Sequence, residues 1–278
     1  MDIGTTSRDP RYYQIAVLGL LVAYGSVALD FGIRWPQALA IVITAQVVQL
    51  AGTRMASLTR FDPLSALITS LSLTLLFRTD VTGLAVLAAI LAIGSKFLIR
   101  FRGKHVFNPA NFAIVSLMFA SDRAWISSGQ WGSATIGALA LACLGLLVLT
   151  RARRAETTIA FLAAYAAMLF GRALWLGDPL VIPLHQMTNG ALLVFAFFMI
   201  SDPKTSPDAP AGRILYGCLV ASVAYTIQYF FYQPHGPIIA LILSAPFVPL
   251  IDRLFHGRHY RWERPAALPA TRIKGVWP

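Results

Sequence analysis

The stretch NGALLVFAFFMISDPKTSP, Asn189 to Pro207, decides how the chain is read. It begins as an apolar run and breaks into a polar segment with two prolines, Pro203 and Pro207, just before a third at Pro210. An apolar helix that ends this abruptly belongs either to a surface loop or to a built site. The surrounding sequence chooses between them. Of 278 residues, 57% are hydrophobic and only 13% are charged, about half the charge of a soluble domain. Apolar runs recur from residue 12 to residue 252, so the expected fold is an all-α polytopic membrane protein. The first residues, MDIGTTSRDPRYY, contain acids and no cleavage pattern, which predicts an uncleaved first helix.

Ten hydrophobic segments are expected, at about 12–30, 35–52, 63–77, 81–100, 109–121, 133–150, 157–174, 188–201, 211–232 and 236–252. This gives a cytoplasmic N-terminus (1–11), one transmembrane domain (12–252) and a basic cytoplasmic tail (253–278). With ten spans, eighteen of the 23 Lys and Arg residues fall on the side of the termini and four on the other, with Lys96 inside a segment. That asymmetry places both termini in the cytoplasm of a bacterial inner membrane. The net charge of +11 is thereby explained as topology and calls for no nucleic-acid partner.

A weak repeat supports two inverted five-helix halves, about 12–121 and 133–252. FDPLSALITSLSLTLLFRTD and HQMTNGALLVFAFFMISDPK match in layout, and each half then has a helix entered through a Pro-containing turn, KHVFNPANFAIV and YQPHGPIIALIL. Inverted halves with broken helices build sites near the bilayer midplane.

Two stretches carry chemistry. In SKFLIRFRGKHVFNPANF, Asn108 before Pro109 is a helix-start signal, with Asn111 one turn on. A helix start inside a membrane protein offers free N–H groups to a polar or anionic ligand. Lys96 is the one cation deep in a span; it either snorkels to the surface or serves the site. Asp202-Pro203 reads as the same device, an acidic cap on a proline-started helix with Lys204, Thr205 and Ser206 in its first turn. Ordinary capping accounts for both motifs equally well. Phe195, Phe197 and Phe198 suit stacking on a flat ring, although composition alone reads them as lipid-facing. The stretch DRAWISSGQWGSATIGA, 122–138, reads as an interfacial belt. Cys143 and Cys218 lack metal spacing, and the histidines lie in connections or the tail, so neither haem nor an iron–sulfur cluster is expected.

GKHVFNPANFA and FFMISDPKTSPDAPAGRILYG, about 95 residues apart, resemble signatures of the NqrB/RnfD family, the flavin-bearing membrane subunits of sodium-translocating NADH:quinone oxidoreductase and of the Rnf complex. In length the chain is similar to the short, stand-alone RnfD-like branch. The resemblance implies inverted five-helix halves, a noncovalent riboflavin, and an FMN esterified to a threonine; the cofactor expected in this chain is riboflavin or FMN, held noncovalently. By motif it implies that His105, Asn108, Asn111 and Asp202 contact riboflavin, with Lys96, Lys204 and Thr205 beside them. The family's flavinylated threonine ends a Ser-Gly-Ala-Thr motif preceded by an acid. The counterpart here is QWGSAT, ending at Thr135, with Ser and Gly exchanged and Gly129 where the acid would stand. The implied role is an electron-relay subunit rather than a complete enzyme, working with other subunits or a separate donor, and with quinone as a candidate acceptor. A transporter or channel for a small solute or vitamin is the rival, since inverted broken helices serve solute passage too.

Overall fold

The structure, a computed structural model, describes residues 9–29, 31–58, 60–127 and 155–257. These form helices α1 (Pro10–Val27), α2 (Trp35–Met55), α3 (Pro63–Leu76), α4 (Thr82–Leu98), α5 (Pro109–Ala120), α6 (Ala155–Leu176), α7 (Val181–Met187), α8 (Gly190–Met199), α9 (Pro210–Phe230) and α10 (Gly236–Leu254). Helix lies at nine of the ten expected segments; the sixth, 133–150, falls outside the described residues, as does Thr135. Among the described residues, four helices, α2, α6, α9 and α10, are long and apolar enough to cross a membrane. α3, α4 and α5 are apolar but shorter, and α7 and α8 form a pair bent by 47°.

The helix starts follow from local chemistry. Asp9, Asp62 and Asn108 each accept a backbone N–H at the start of α1, α3 and α5, and each is followed by proline. Proline suits the first turn because its missing N–H has no partner there anyway. α8 starts on Asn189, whose side chain accepts from the Ala191 N–H. His185, read as a connection residue, lies in the short helix α7.

Packing relies on small residues, as expected where lipid and side chains are equally apolar. The buried face of α4 is Ala85, Ala88, Ala89 and Ala92, and α2 and α5 pack against that helix. Helices α6 and α9 pack so closely at Gly217 that a Cβ there would lie 2.7 Å from the Thr157 carbonyl. On α2, Leu39, Ile43, Val47 and Leu50 are exposed at helical spacing, an apolar stripe suited to lipid.

Four short strands were not anticipated. β1 (Phe77–Thr79), expected as the end of a helix, pairs antiparallel with β4 (Ala124–Ile126). β2 (Arg100–Phe101) and β3 (Lys104–His105) form a hairpin. Its two loop residues, Arg102 and Gly103, both have positive φ, 49° and 82°, the conformation a two-residue hairpin turn requires.

Candidate functional site

The α4–hairpin–α5 segment and the end of α8 meet at one chamber with a volume of about 80 Å³. Its walls include Lys96, His105, Asn108, Phe197, Phe198, Asp202 and Lys204, together with Arg11 and Ser65. Five of the eight residues singled out in the sequence are thus brought together. A larger chamber of about 640 Å³ shares Arg11, Ser65, Lys96, His105 and Lys204 with the first.

Lys96 does not snorkel. It is 4% exposed, and its Nζ donates to the carbonyl and to the hydroxyl of Ser65, each at 3.1 Å. Ser65 sits in the first turn of α3, so this contact joins α4 to α3 at the chamber wall. Arg11 joins α1 to the same helix start: its Nη1 lies 2.8 Å from both Asp62 oxygens, and its Nε and Nη2 engage Asp9. Burial works to raise the Asp9 carboxyl, but the hydrogen bonds and charge of Arg11 outweigh it and hold the group below its ordinary value.

The His105 Nδ1 lies 3.1 Å from the Lys96 carbonyl. A carbonyl only accepts, so Nδ1 carries the proton and Nε2 keeps a free lone pair. Burial, and then the positive charges of Lys96, Arg100 and Lys204, lower His105 to about 3. The ring is neutral at physiological pH and can accept a hydrogen bond at Nε2.

Asn108 is occupied structurally. Its Oδ1 accepts the Asn111 N–H at 3.1 Å, and its Nδ2 donates to the Met199 carbonyl at 3.3 Å. It therefore tethers the end of α8 to the start of α5. That end is a π-helical turn, Phe195–Met199, closed by the Ile200 N–H on the Phe195 carbonyl at 3.1 Å. Such wide turns cluster at functional sites. Two further carbonyls of the turn accept hydroxyls at 2.6 Å, Ala196 from Thr158 and Phe197 from Ser201. The turn rotates Phe197 and Phe198 into the chamber wall. Phe195, Phe197 and Phe198 are all buried, which overturns the lipid-facing reading. Phe195 packs edge-on against Phe161, with centroids 5.1 Å apart.

Asp202 starts no helix. Its Oδ1 accepts the Lys204 N–H at 2.9 Å, and its carbonyl accepts the Thr205 and Ser206 N–H groups at 3.1 and 3.0 Å. The next bond of a helix would come from residue 207, a proline without an N–H, so a single turn forms and the helix begins at Pro210. Thr205 is buried beneath this turn and is not part of the chamber lining. Asn111 is also outside the lining; it is fully buried, and neither amide atom has a hydrogen-bond partner among the described residues.

Sequence reasoning missed a clamp that holds the Asp202 turn in place. Lys104 Nζ donates to the Ser206 carbonyl at 3.0 Å and to Asp208 and Asp252 at 2.9 Å each, while the Asp208 N–H donates to Asp252 at 2.8 Å. The hairpin, the turn and α10 are thus joined through one ammonium. A signal was present: in a chain with only 12 acids, two carboxylates flanking apolar helices call for a cation. No group of three or more His, Cys, Asp or Glu side chains suited to a metal occurs among the described residues.

A deep cation and two buried phenyl rings around one chamber at the break of an apolar helix invite comparison with known proteins. Residues 125–261 match the NQR2, RnfD, RnfE family. That match covers just under half of the chain, 137 of its 278 residues, and over this span the chain is similar to the family. The D component of the ion-translocating oxidoreductase complex of Erwinia tasmaniensis is 34% identical over 116 residues, covering 41% of this chain and 32% of that protein. The corresponding protein of Haemophilus influenzae is 32% identical over 128 residues, 46% of this chain and 34% of that protein. That of Sodalis glossinidius is 36% identical over 140 residues, 49% and 39% respectively. The matches thus span about a third of the length of these curated relatives. Asp202, Lys204 and Thr205 lie within the family match, as does Thr135; Lys96, His105, Asn108 and Asn111 precede it.

Proposed function

We propose that the chain is a membrane-embedded flavin subunit that relays electrons within a redox complex. The observation that carries this reading is the chamber itself, in which Lys96 is buried without a carboxylate partner among the described residues while Phe197 and Phe198 form an apolar wall. These residues suit an isoalloxazine ring that extends into the larger chamber of about 640 Å³, since the inner one of about 80 Å³ is below ligand size by itself. The phenyl rings suit its flat faces, and the Lys96 ammonium has one N–H beyond the two given to Ser65. That charge offsets the negative charge a reduced ring places on its pyrimidine edge. The Nε2 of neutral His105 accepts a hydrogen bond from a ring N–H, and Asp202 supplies a second acceptor. Asn108 acts by positioning, because its amide is committed to capping α5 and holding Met199. Bound flavin would supply one- and two-electron transfer there.

The ten-span arrangement in two inverted halves with cytoplasmic termini is part of the same proposal. The inverted layout is supported by α3 and α8, each with an Asp or Asn cap and each followed by a break. The relatives' names describe one component of an ion-translocating oxidoreductase complex, so the proposed partners are other subunits of such a complex, with quinone as a candidate acceptor.

Detergent-purified protein tests the reading by its absorbance. A flavin spectrum supports it, and a colourless protein refutes it. Acid precipitation then separates the two modes of attachment. Colour released by acid assigns the flavin to the chamber; colour retained by the protein and lost in Thr135→Ala assigns an ester to that threonine. The 47° break between α7 and α8 also suits a transporter, and a colourless protein that binds a small solute would favour that reading.

A further inference from the structure

We infer that the larger chamber is a phosphate-monoester site, so that the flavin held here without a covalent bond is FMN rather than riboflavin. This rests on the flavin reading above. The chamber of about 640 Å³ is lined by the cations Arg11, Arg60, Arg100 and Lys204, besides Lys96 at its junction with the inner chamber. Its only carboxylates among the described residues are Asp9 and Asp62, and Arg11 engages both. Arg60, Arg100 and Lys204 make no salt bridge among the described residues.

The excess of cytoplasmic arginine explains which side of the membrane these cations occupy. It does not explain why three from different segments line one cavity. Arg60 precedes α3, Arg100 sits on the β2–β3 hairpin, and Lys204 lies in the Asp202 turn. The hairpin is held in place by the Lys104 clamp, which keeps Arg100 and Lys204 on a common wall. Unpaired cations converging on a cavity of ligand size, about 300–1,000 Å³, suit a doubly charged anion that accepts several charge-assisted hydrogen bonds.

A second observation concerns a buried acceptor. Gln49 also lines the larger chamber; it is buried, and its Oε1 has no donor among the described residues. A ribityl chain brings hydroxyl donors and ends in the phosphate. The flat ring, hydroxylated chain and phosphate of FMN each find a matching group, the phenyl rings and Lys96 in the inner chamber and Gln49, Arg60 and Arg100 in the larger one.

The test uses the whole 278-residue chain, stripped of flavin and placed in nanodiscs of zwitterionic lipid, titrated separately with riboflavin and FMN by flavin fluorescence. The expected result is FMN bound at least about tenfold more tightly, the equivalent of one charge-assisted contact. The preference should narrow in high salt, because the chamber is open to solvent. In the double variant Arg60→Ala/Arg100→Ala, FMN affinity should fall to that of riboflavin, with riboflavin changed less than about twofold. Equal affinities for the two flavins in the unmodified chain would overturn the phosphate site and leave the flavin reading standing. Parallel loss of both flavins in the double variant would also overturn it, since that marks a structural role. If neither flavin binds, the flavin reading itself fails and this inference falls with it.

Discussion

Lys96→Met separates the cost of the buried cation from its use. The ammonium is almost fully enclosed and has no carboxylate within salt-bridge distance among the described residues, only the carbonyl and hydroxyl of Ser65. Burying an ion costs several kcal/mol after relaxation, and two hydrogen bonds to a charged group return about 1.5–3 kcal/mol each. The flavin-free site is therefore close to balance, with a deficit of about 1–2 kcal/mol that a methionine of similar length removes. Little is left unpaired by the change. The Ser65 carbonyl also accepts from the Thr69 hydroxyl at 3.0 Å, and the Ser65 hydroxyl keeps its own proton. At about 2–4 °C per kcal/mol for a chain of this size, flavin-free Lys96→Met should melt about 2–8 °C higher than the unmodified protein. With flavin bound, the effect reverses. Losing a cation beside the reduced ring should lower the two-electron midpoint potential by about 30–60 mV, at about 30 mV per 1.4 kcal/mol. Differential scanning fluorimetry in detergent and spectroelectrochemistry read the two effects, with Lys96→Arg as the charge-retaining control. A lower melting temperature in the flavin-free variant, together with an unshifted potential, would mean that Lys96 is a structural cation, and the argument for its role would fail.

Four other perturbations test separate parts of the structure. Lys104→Ala leaves Asp208 and Asp252 facing each other, with the Asp208 side chain only 4% exposed; a loss of about 2–4 kcal/mol should appear in thermal melts and be largely recovered when both acids are also changed to Asn. His105 has a folded-state value of about 3 against about 6.5 unfolded, so below about pH 6.5 the unfolded chain binds more protons. The stability that the neutral ring contributes is complete above that pH and declines as pH falls from about 6.5 toward 3; melting temperatures between about pH 7 and pH 5 should fall less in His105→Gln than in the unmodified protein. Gly217→Ala places a methyl 2.7 Å from the Thr157 carbonyl and 2.9 Å from the Phe161 nitrogen, forcing α6 from α9 at a cost of about 1–3 kcal/mol. At Gly171 a Cβ meets nothing within 4 Å, so Gly171→Ala should be neutral or stabilising by up to about 1 kcal/mol in the same melts.

How far the sequence could be read depended on whether the deciding interaction was local. Asn108-Pro109 announced its helix because a cap and the proline after it act within one turn. Asp202-Pro203 carries the same signature and misleads, because the outcome depends on a second proline four residues later, at the position that should donate the second full helical bond. The burial of Phe197 and Phe198 was not legible for a different reason. Hydropathy distinguishes water from oil, but in a membrane chain an apolar side chain meets apolar surroundings whether it faces lipid or protein. Lys96 stood out as a lone cation, yet its partner Ser65 is 31 residues away and carries no mark in the sequence. The strands, two or three residues long, are too short to show an alternating pattern.

The division of the chamber bears on what the similarity to the oxidoreductase relatives can carry. The family match begins at residue 125, so it includes the phenyl wall and the Asp202 turn but not the buried ammonium, the neutral imidazole or the Asn108 tether. Those three come from one continuous piece of chain, Lys96 to Asn108, whose hairpin is fixed to the matched half through Lys104 on Asp208 and Asp252. A second bond, Asn108 on Met199, joins the same two pieces at the helix break. Each piece presents half a site. The matched piece brings the phenyl wall and the Asp202 turn but not the buried ammonium, and the piece that carries the ammonium lacks the phenyl wall. The chemistry proposed here therefore depends on the joint between them, and the clamp and the tether, neither of which need touch a ligand, fix that joint.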